Sequence, residues 1–309
     1  MTRLLVLLLA LLPGLAFAEG WPRHFPHKFG ETVLTAPPSR IASLDFGGGD
    51  DLLALGVQPV TLRLWTGEGP RGVGPWAEAL LTSQPVLLRG APDFERIAAT
   101  RPDVILALWS GITAADYAKL SRIAPVIATP EGIGDFDLPW QARARLAARA
   151  LGREAEAEAR IAMLEARLLE TAAQHPEWAG QTASIAFDWD GTPGAFLPGD
   201  VRVRPLTQLG FTTPTALMAL AAPGAFSVSL SPEDLGPLEA DLVLWVGSDG
   251  PPRQPMRRFL TAHRDGREIV ASAELSAALS WSSLLSLPRA LDLLVPQIET
   301  ALPPDRSLP

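Results

Sequence analysis

One long helical pattern in the middle of the chain constrains the fold most. From about Leu138 to about Gln174 the sequence is rich in Ala, Leu, Arg and Glu, and Leu146, Ala150, Ala157, Ile161, Leu164 and Leu168 recur at a helical period. As one continuous helix of about 37 residues it would extend about 55 Å, more than one compact domain needs and suited to a strut between two. Gly152 is where such a helix would break.

On either side of this segment, short apolar runs alternate with amphipathic ones. Arg40–Leu44 is expected to be a strand, followed after Phe46-Gly47-Gly48-Gly49 by a helix from Asp50 to Leu55 that Gly56 stops. Phe94–Thr100 is expected to be a helix, Asp103–Leu108 a strand buried on both faces, Thr113–Ile123 a helix and Pro125–Ala128 a strand. Beyond the central segment the alternation resumes with strands at Thr182–Phe187, Ala240–Val246 and Glu268–Ala271, and it closes with a helix from about Ser282 to Ala301. The fold class is therefore α/β with mostly parallel sheets, and alternation on both sides of a long central segment points to two lobes. The expected organisation is an N-terminal lobe over residues 19–137, a backbone helix over 138–176 and a C-terminal lobe over 177–309. A weak internal echo agrees: Glu95 precedes Asp103, and Glu233 precedes Asp241, by the same interval, each Asp opening a buried strand after a short helix.

Residues 1–18 have the form of a cleavable export signal, with Arg3, the apolar run Leu4–Leu12, a Pro13-Gly14 break and Ala16-Phe17-Ala18 before Glu19. The apolar run is too short to span a bilayer. The expected location is thus the periplasm, reached by cleavage of the signal. The 309 residues carry 26 Lys and Arg against 34 Asp and Glu, which argues against a nucleic-acid partner, since such proteins use basic patches to displace counterions from phosphates. Having no cysteine, the chain has no disulfide framework, thiolate metal site or cysteine nucleophile.

Several segments resemble the periplasmic binding proteins of iron–siderophore ABC importers, the ferric-hydroxamate-binding members most closely. PSRIASLDFGGGDDLLALGV (38–57), RLW (63–65), LLRGAPDFERIAATRPDVILALWSG (87–111) and RIAPV (122–126) resemble their N-terminal lobe. AFSVSLSPEDL (225–235), ADLVLWV (240–246) and LSWSSLLSLPRALDLL (279–294) resemble their C-terminal lobe, so the likeness spans essentially the whole mature chain. It implies two α/β lobes joined by one long backbone helix, with the ligand held in a shallow cleft between them. It also implies a non-enzymatic receptor that captures an iron(III)–siderophore and delivers it to an inner-membrane permease.

The residue chemistry is compatible with that ligand. An iron(III)–siderophore is bulky, already coordinated by its own oxygens and partly apolar, so a receptor needs aromatic planes and guanidinium donors rather than protein ligands for the metal. The chain has nine Trp and one Tyr. Trp65, Trp109, Trp245 and Trp281 fall at the ends of expected elements, whereas Trp76, Trp140 and Trp178 are expected to pack within the lobes. By the resemblance, Arg89 falls where the family carries a cleft arginine on the iron-bound oxygens, and Trp65, Trp109, Ser227 and Trp281 also match cleft positions. Phe46 and Arg63 complete the expected N-terminal wall. Two departures stand out: Gly111-Ile112-Thr113 follow Ser110 where the family has a cleft tyrosine, and Ala225 stands where it has an aromatic, for which Phe226 can substitute. Glu95 and Glu233 match the family's permease-docking acids. No cofactor and no protein metal site are expected, and the receptor is expected to act as a monomer.

Other chemistries have thinner support. His24 and His27 lack a third ligand nearby and are expected to be solvated strand residues. Gly47-Gly48-Gly49 is not followed by the GK[ST] of a phosphate loop, and Ser227, Ser229 and Ser231 lack the G-x-S-x-G setting of a nucleophile. The alternatives are a cobalamin or haem carrier of the same fold, or an exported α/β hydrolase using Asp188 or Asp190 beside Trp189.

Overall fold

A computed structural model of the chain describes residues 20–47, 49–65, 69–247 and 252–303. The export-signal segment expected over residues 1–18 lies outside the described residues.

The N-terminal lobe opens with a hairpin, β1 (Arg23–His27) and β2 (Gly30–Leu34). Its alternate residues Phe25 and Leu34 enter the core. There follow β3 (Ile41–Ser43), α1 (Asp50–Ala54), β4 (Pro59–Leu64), β5 (Val86–Arg89), α2 (Phe94–Ala99), β6 (Val104–Ala107), α3 (Ala114–Leu120) and β7 (Val126–Ala128). These strands form an all-parallel sheet in the order β5-β4-β3-β6-β7. Short helices cover it, so strands such as Val104–Ala107 are buried on both faces, as the unbroken apolar run implied. The hairpin ties to the sheet edge through Lys28 N–H to Thr129 O, 3.0 Å, and the Thr32 hydroxyl to Val126 O, 2.5 Å.

The C-terminal lobe repeats this plan with one inversion. It contains β8 (Ala183–Trp189), β9 (Thr192–Phe196), α6 (Val203–Gln208), α7 (Thr215–Met218), β10 (Ser227–Ser229), β11 (Leu242–Trp245), α8 (Thr261–Arg264), β12 (Glu268–Val270), α9 (Ala273–Trp281) and α10 (Ser286–Ala301). The sheet order is β10-β9-β8-β11-β12, with β9 antiparallel to both its neighbours. In each sheet the chain starts at the centre, runs out to one side, then crosses to the other. Each lobe therefore has a switch point, between β3 and β6 and between β8 and β11, where loops at the carboxyl ends of the strands diverge and leave a crevice.

The echoed acids have a structural explanation. Asp103 accepts from Ser39 N–H and Oγ and from Arg40 N–H, and Asp241 accepts from Thr182 N–H and Oγ1. Each carboxylate thereby pins the start of the neighbouring strand to its own. Glu95 and Glu233 are both exposed and follow the carboxyl ends of edge strands β5 and β10, which occupy corresponding places in the two sheets. Glu95 is on α2, but Glu233 lies in a turn rather than on the helix expected.

One long helix joins the lobes, as expected, but the segment 138–176 is not continuous. The segment forms α4 (Trp140–Leu151) and α5 (Glu154–Gln174), broken at Gly152, whose φ of 71° suits a residue without a side chain. Gln141 bonds Glu165 and Arg145 bonds Glu158, so the two helices run antiparallel as a hairpin. Its closed end, with Ala147, Ala148, Ala150, Leu151 and Ala157, belongs to the N-terminal core, whereas Trp140, Ala144, Ile161, Leu164 and Leu168 belong to the C-terminal core. The 21 residues of α5 extend about 31 Å at 1.5 Å each and carry the chain from one lobe to the other. Trp140 and Trp178 are core residues, as expected.

Candidate ligand cleft

The loops at the N-terminal switch point are fastened to each other. Asp45 after β3 accepts the Trp109 N–H at 2.7 Å, and Phe46 N–H donates to Trp109 O at 3.0 Å. Burial pushes the Asp45 carboxyl up to about 6, against the opposing pull of the Trp109 N–H and of Arg143. Fastened in this way, Phe46 and Trp109 stand edge to face, centroids 6.4 Å apart. Trp65, just after β4, lies 5.4 Å from each, and Phe136, from the loop before α4, lies 5.8 Å from Phe46 and from Trp109. Arg63 supports this wall from beside Phe46, 4.3 Å from its ring, with Nε on Gly90 O at 2.9 Å and Nη1 on Ser110 O at 2.6 Å.

The facing wall comes from the C-terminal lobe. Trp189 at the end of β8 stacks on Phe187 at 3.9 Å and meets Phe196 of β9 at 5.8 Å. Gly194 makes room for that stack, because a Cβ there would lie 2.2 Å from the Phe187 ring. Phe226, before β10, is 49% exposed. After β9 come Asp200, Val201 and Arg202. Arg202 Nη1 bonds both Asp200 oxygens at 2.9 and 2.8 Å, its Nε reaches Ser280 Oγ at 3.0 Å, and its guanidinium lies 4.1 Å from the Phe196 ring and 5.8 Å from Trp65 of the other lobe. Together the walls enclose a cleft of about 350 Å³, lined by Phe46, Trp65, Trp109, Phe136, Asp137 and, opposite, by Trp189, Phe196, Asp200, Val201, Arg202 and Phe226.

Of the residues expected at the ligand, Phe46, Trp65, Trp109 and Phe226 line this cleft. Arg63 stands beside it. Ser227 opens β10 in register with Phe196 and is not among the lining residues. Arg89 ends β5 in register with Leu64, exposed on the edge strand and outside the lining. Trp281 is corrected: it is 1% exposed and packs edge to face on Trp76 at 5.3 Å, inside the lobe junction. Trp245 is likewise buried, its Nε1 on Glu268 at 2.7 Å. A tryptophan at an element's end shows where the chain turns but not which face the ring takes. Phe136, Phe196, Asp200 and Arg202 were missed, and only the acid–base pair of Asp200 and Arg202 after the Pro198-Gly199 turn offered a signal.

Beneath the cleft the lobes meet through buried polar groups. Asp50 Oδ2 accepts from Trp76 Nε1 at 2.8 Å and from Ser283 Oγ of the other lobe at 2.5 Å. Arg143 of α4, 1% exposed, binds Asp51 at 2.7 Å and donates through Nη2 to the carbonyls of Trp281 and Ser282 at 3.2 and 2.9 Å. Burial pushes the Asp50 carboxyl up to about 7, although Ser283 and Trp76 both favour its ionised form.

The alternative chemistries do not converge on a site. Asp188 accepts Gly191 N–H and Arg253 N–H, and Asp190 forms the tip of the β8–β9 turn with φ of 50°. Both Asp188 oxygens are thus engaged by backbone groups. His24 is exposed beside Glu31, but His27 is buried against Thr32 rather than solvated, because an odd spacing along a strand sends the two rings to opposite faces. Among the described residues no group of three or more His, Cys, Asp or Glu is placed to hold a metal ion. Among them, too, no helix is long and apolar enough to cross a membrane.

Comparison with known proteins agrees with this architecture. A periplasmic solute-binding protein of Mycobacterium smegmatis superposes with a TM-score of 0.80 at 32% identity, over 90% of this chain and 98% of the other. PiaA of Streptococcus pneumoniae, solved in complex with ferrichrome, superposes with a TM-score of 0.75 at 27% identity, again over 90% of this chain and 98% of the other. The lipoprotein YhfQ of Bacillus subtilis, named as an ABC transporter substrate-binding lipoprotein, is 31% identical over 156 residues, which are 47% of this chain and 44% of that relative; the chain thus spans under half the length of the curated relative it matches. The periplasmic binding protein family model matches residues 41–265, running from the first strand of the N-terminal sheet to the end of α8. Two switch-point lobes facing each other across an aromatic cleft, and a family match over most of that frame, place the chain in the periplasmic binding protein family.

Proposed function

We propose that this protein captures an iron(III)–siderophore complex, of hydroxamate type, in the aromatic cleft and delivers it to the permease of an inner-membrane ABC importer. The observation that carries this reading is the pair of facing aromatic walls. Seven rings from two lobes border a cleft large enough for a compact chelate, with few polar groups to orient it. Rings grip the apolar skeleton of a ligand at small entropic cost. On this reading the iron keeps the chelator's oxygens as its ligands. The ferrichrome complex of PiaA supports the choice of ligand class.

Delivery follows from Glu95 and Glu233. Two exposed acids at corresponding places on two similar lobes suit a two-fold partner that presents a matched pair of cations. Replacing both by Ala is expected to abolish uptake while leaving ligand affinity intact, with milder single variants. Uptake unimpaired in the double variant contradicts the docking role. The ligand itself is tested by tryptophan quenching against ferric hydroxamates, ferric citrate, ferric catecholates, haem and cobalamin. Saturable quenching by a ferric hydroxamate is expected, and saturation by haem or cobalamin alone would overturn the siderophore reading.

A further inference from the structure

The ionisable side chains that line the cleft are unevenly signed. Among the described lining residues they are Asp137, Asp200 and Arg202, two carboxylates and one guanidinium. The guanidinium is already matched. Arg202 holds both oxygens of Asp200 through Nη1, its own N–H also donates to Asp200 at 2.8 Å, and Ser280 takes Nε. The two side chains are 12% and 8% exposed, so water does little to loosen them. Burial raises the Asp200 carboxyl, and the charge and hydrogen bonds of Arg202 oppose that rise. Arg63, whose Nε and Nη1 donate to carbonyls, and Arg89 both stand outside the lining. A ligand entering the cleft therefore meets rings, a neutralised ion pair and one further carboxylate.

We propose that this cleft sorts ferric complexes by charge, accepting a neutral or cationic chelate and discriminating against polyanionic ones, with Asp200 as the residue that sets the sign by neutralising Arg202. The inference rests on the siderophore reading above and narrows it. Carboxylate and catecholate chelators leave net negative charge on the ferric complex, whereas three hydroxamates balance iron(III). An anionic complex would place that charge against Asp137 and the Asp200–Arg202 pair inside an apolar cleft where screening is weak. An aromatic wall alone would not discriminate in this way.

The test measures affinities of the full chain for ferrichrome, a neutral trihydroxamate, for ferrioxamine B, a cationic one, and for ferric citrate, at low and at moderate salt. Wild-type protein is expected to bind the two hydroxamates at least about tenfold more tightly than ferric citrate, with the ratio little changed at moderate salt. Asp200→Asn uncovers the Arg202 charge and is expected to narrow the ratio by about tenfold, while Arg202→Gln uncovers the carboxylate and is expected to widen it by a similar factor. The opposite signs keep the test decisive should one variant fold poorly. Ferric citrate bound as tightly as ferrichrome by the wild type, or ratios unmoved in both variants, would overturn the charge inference and leave the siderophore reading standing. If no ferric complex binds and haem or cobalamin does, the siderophore reading fails and this inference falls with it.

Discussion

The same two lobes face each other twice, once across the open cleft and once across the sealed junction beneath it, and the chemistry differs at the two levels. The cleft is bordered by seven aromatic rings from loops and strand ends, with one ion pair. The junction holds Asp50, Arg143 and Ser283, bonded from lobe to lobe and almost wholly removed from water, with the partly buried Asp51 on Arg143. Directional polar bonds below fix how the lobes meet, so the rings above need not pack on each other across the cleft and stay available to a ligand. Trp109 belongs to both levels, since its ring lines the cleft and lies 5.2 Å from the Arg143 guanidinium.

The strongest way to break this division is to remove the junction's cation. Arg143→Met leaves the partly buried Asp51 without its partner and frees two buried carbonyls, a change of the kind that costs about 3–5 kcal/mol. Denaturant unfolding is expected to show a loss of that size. A loss below about 1 kcal/mol would mean that the lobes are held by something else.

Trp65→Ala sharpens the comparison from the other side. Trp65 borders the cleft and is only half-buried, so affinity for the ferric ligand is expected to fall about thirtyfold, equivalent to about 2 kcal/mol. Stability should change by less than about 1 kcal/mol. Equal losses in both measurements would show that cleft and junction are not separable.

The smallest effect concerns protons. Asp50 has a folded-state value of about 7, raised from the ordinary carboxylate range chiefly by burial, so the folded protein holds a proton that the unfolded chain has lost. Its contribution to stability is complete below about pH 4 and is lost as pH rises through about 7. Asp50→Asn keeps an acceptor for Ser283 and Trp76 but no titration. Wild type minus variant should therefore show stability falling between about pH 4 and pH 7, and a flat difference would place the titration elsewhere.

How much of this was legible in the sequence follows from the physics of each element. Unbroken apolar runs such as Val104–Ala107 and Leu242–Trp245 announced buried parallel strands. β9 went unseen because Pro193 and Gly194 weaken a strand pattern, although Gly194 is there to admit the Phe187 ring. The central helix broke at the residue that could break it, but its reversal into a hairpin brings together residues such as Arg145 and Glu158, a pairing that helical periodicity does not encode. The N-terminal wall was largely legible because Phe46, Trp65 and Trp109 sit directly after strands. The C-terminal wall was not: Phe196, Asp200 and Arg202 become neighbours of Trp65 only once two lobes distant in sequence have met.

The central claim is that the cleft holds iron within a chelator, between the two aromatic walls. Anomalous scattering at the iron edge, from crystals of the protein grown with a ferric trihydroxamate, tests it most directly. The account predicts one iron peak between the Phe46, Trp65 and Trp109 wall and the Phe196–Arg202 wall, with every ligand atom on the iron supplied by the hydroxamate. An iron peak outside the cleft, or one coordinated by a protein carboxylate or imidazole, would contradict it.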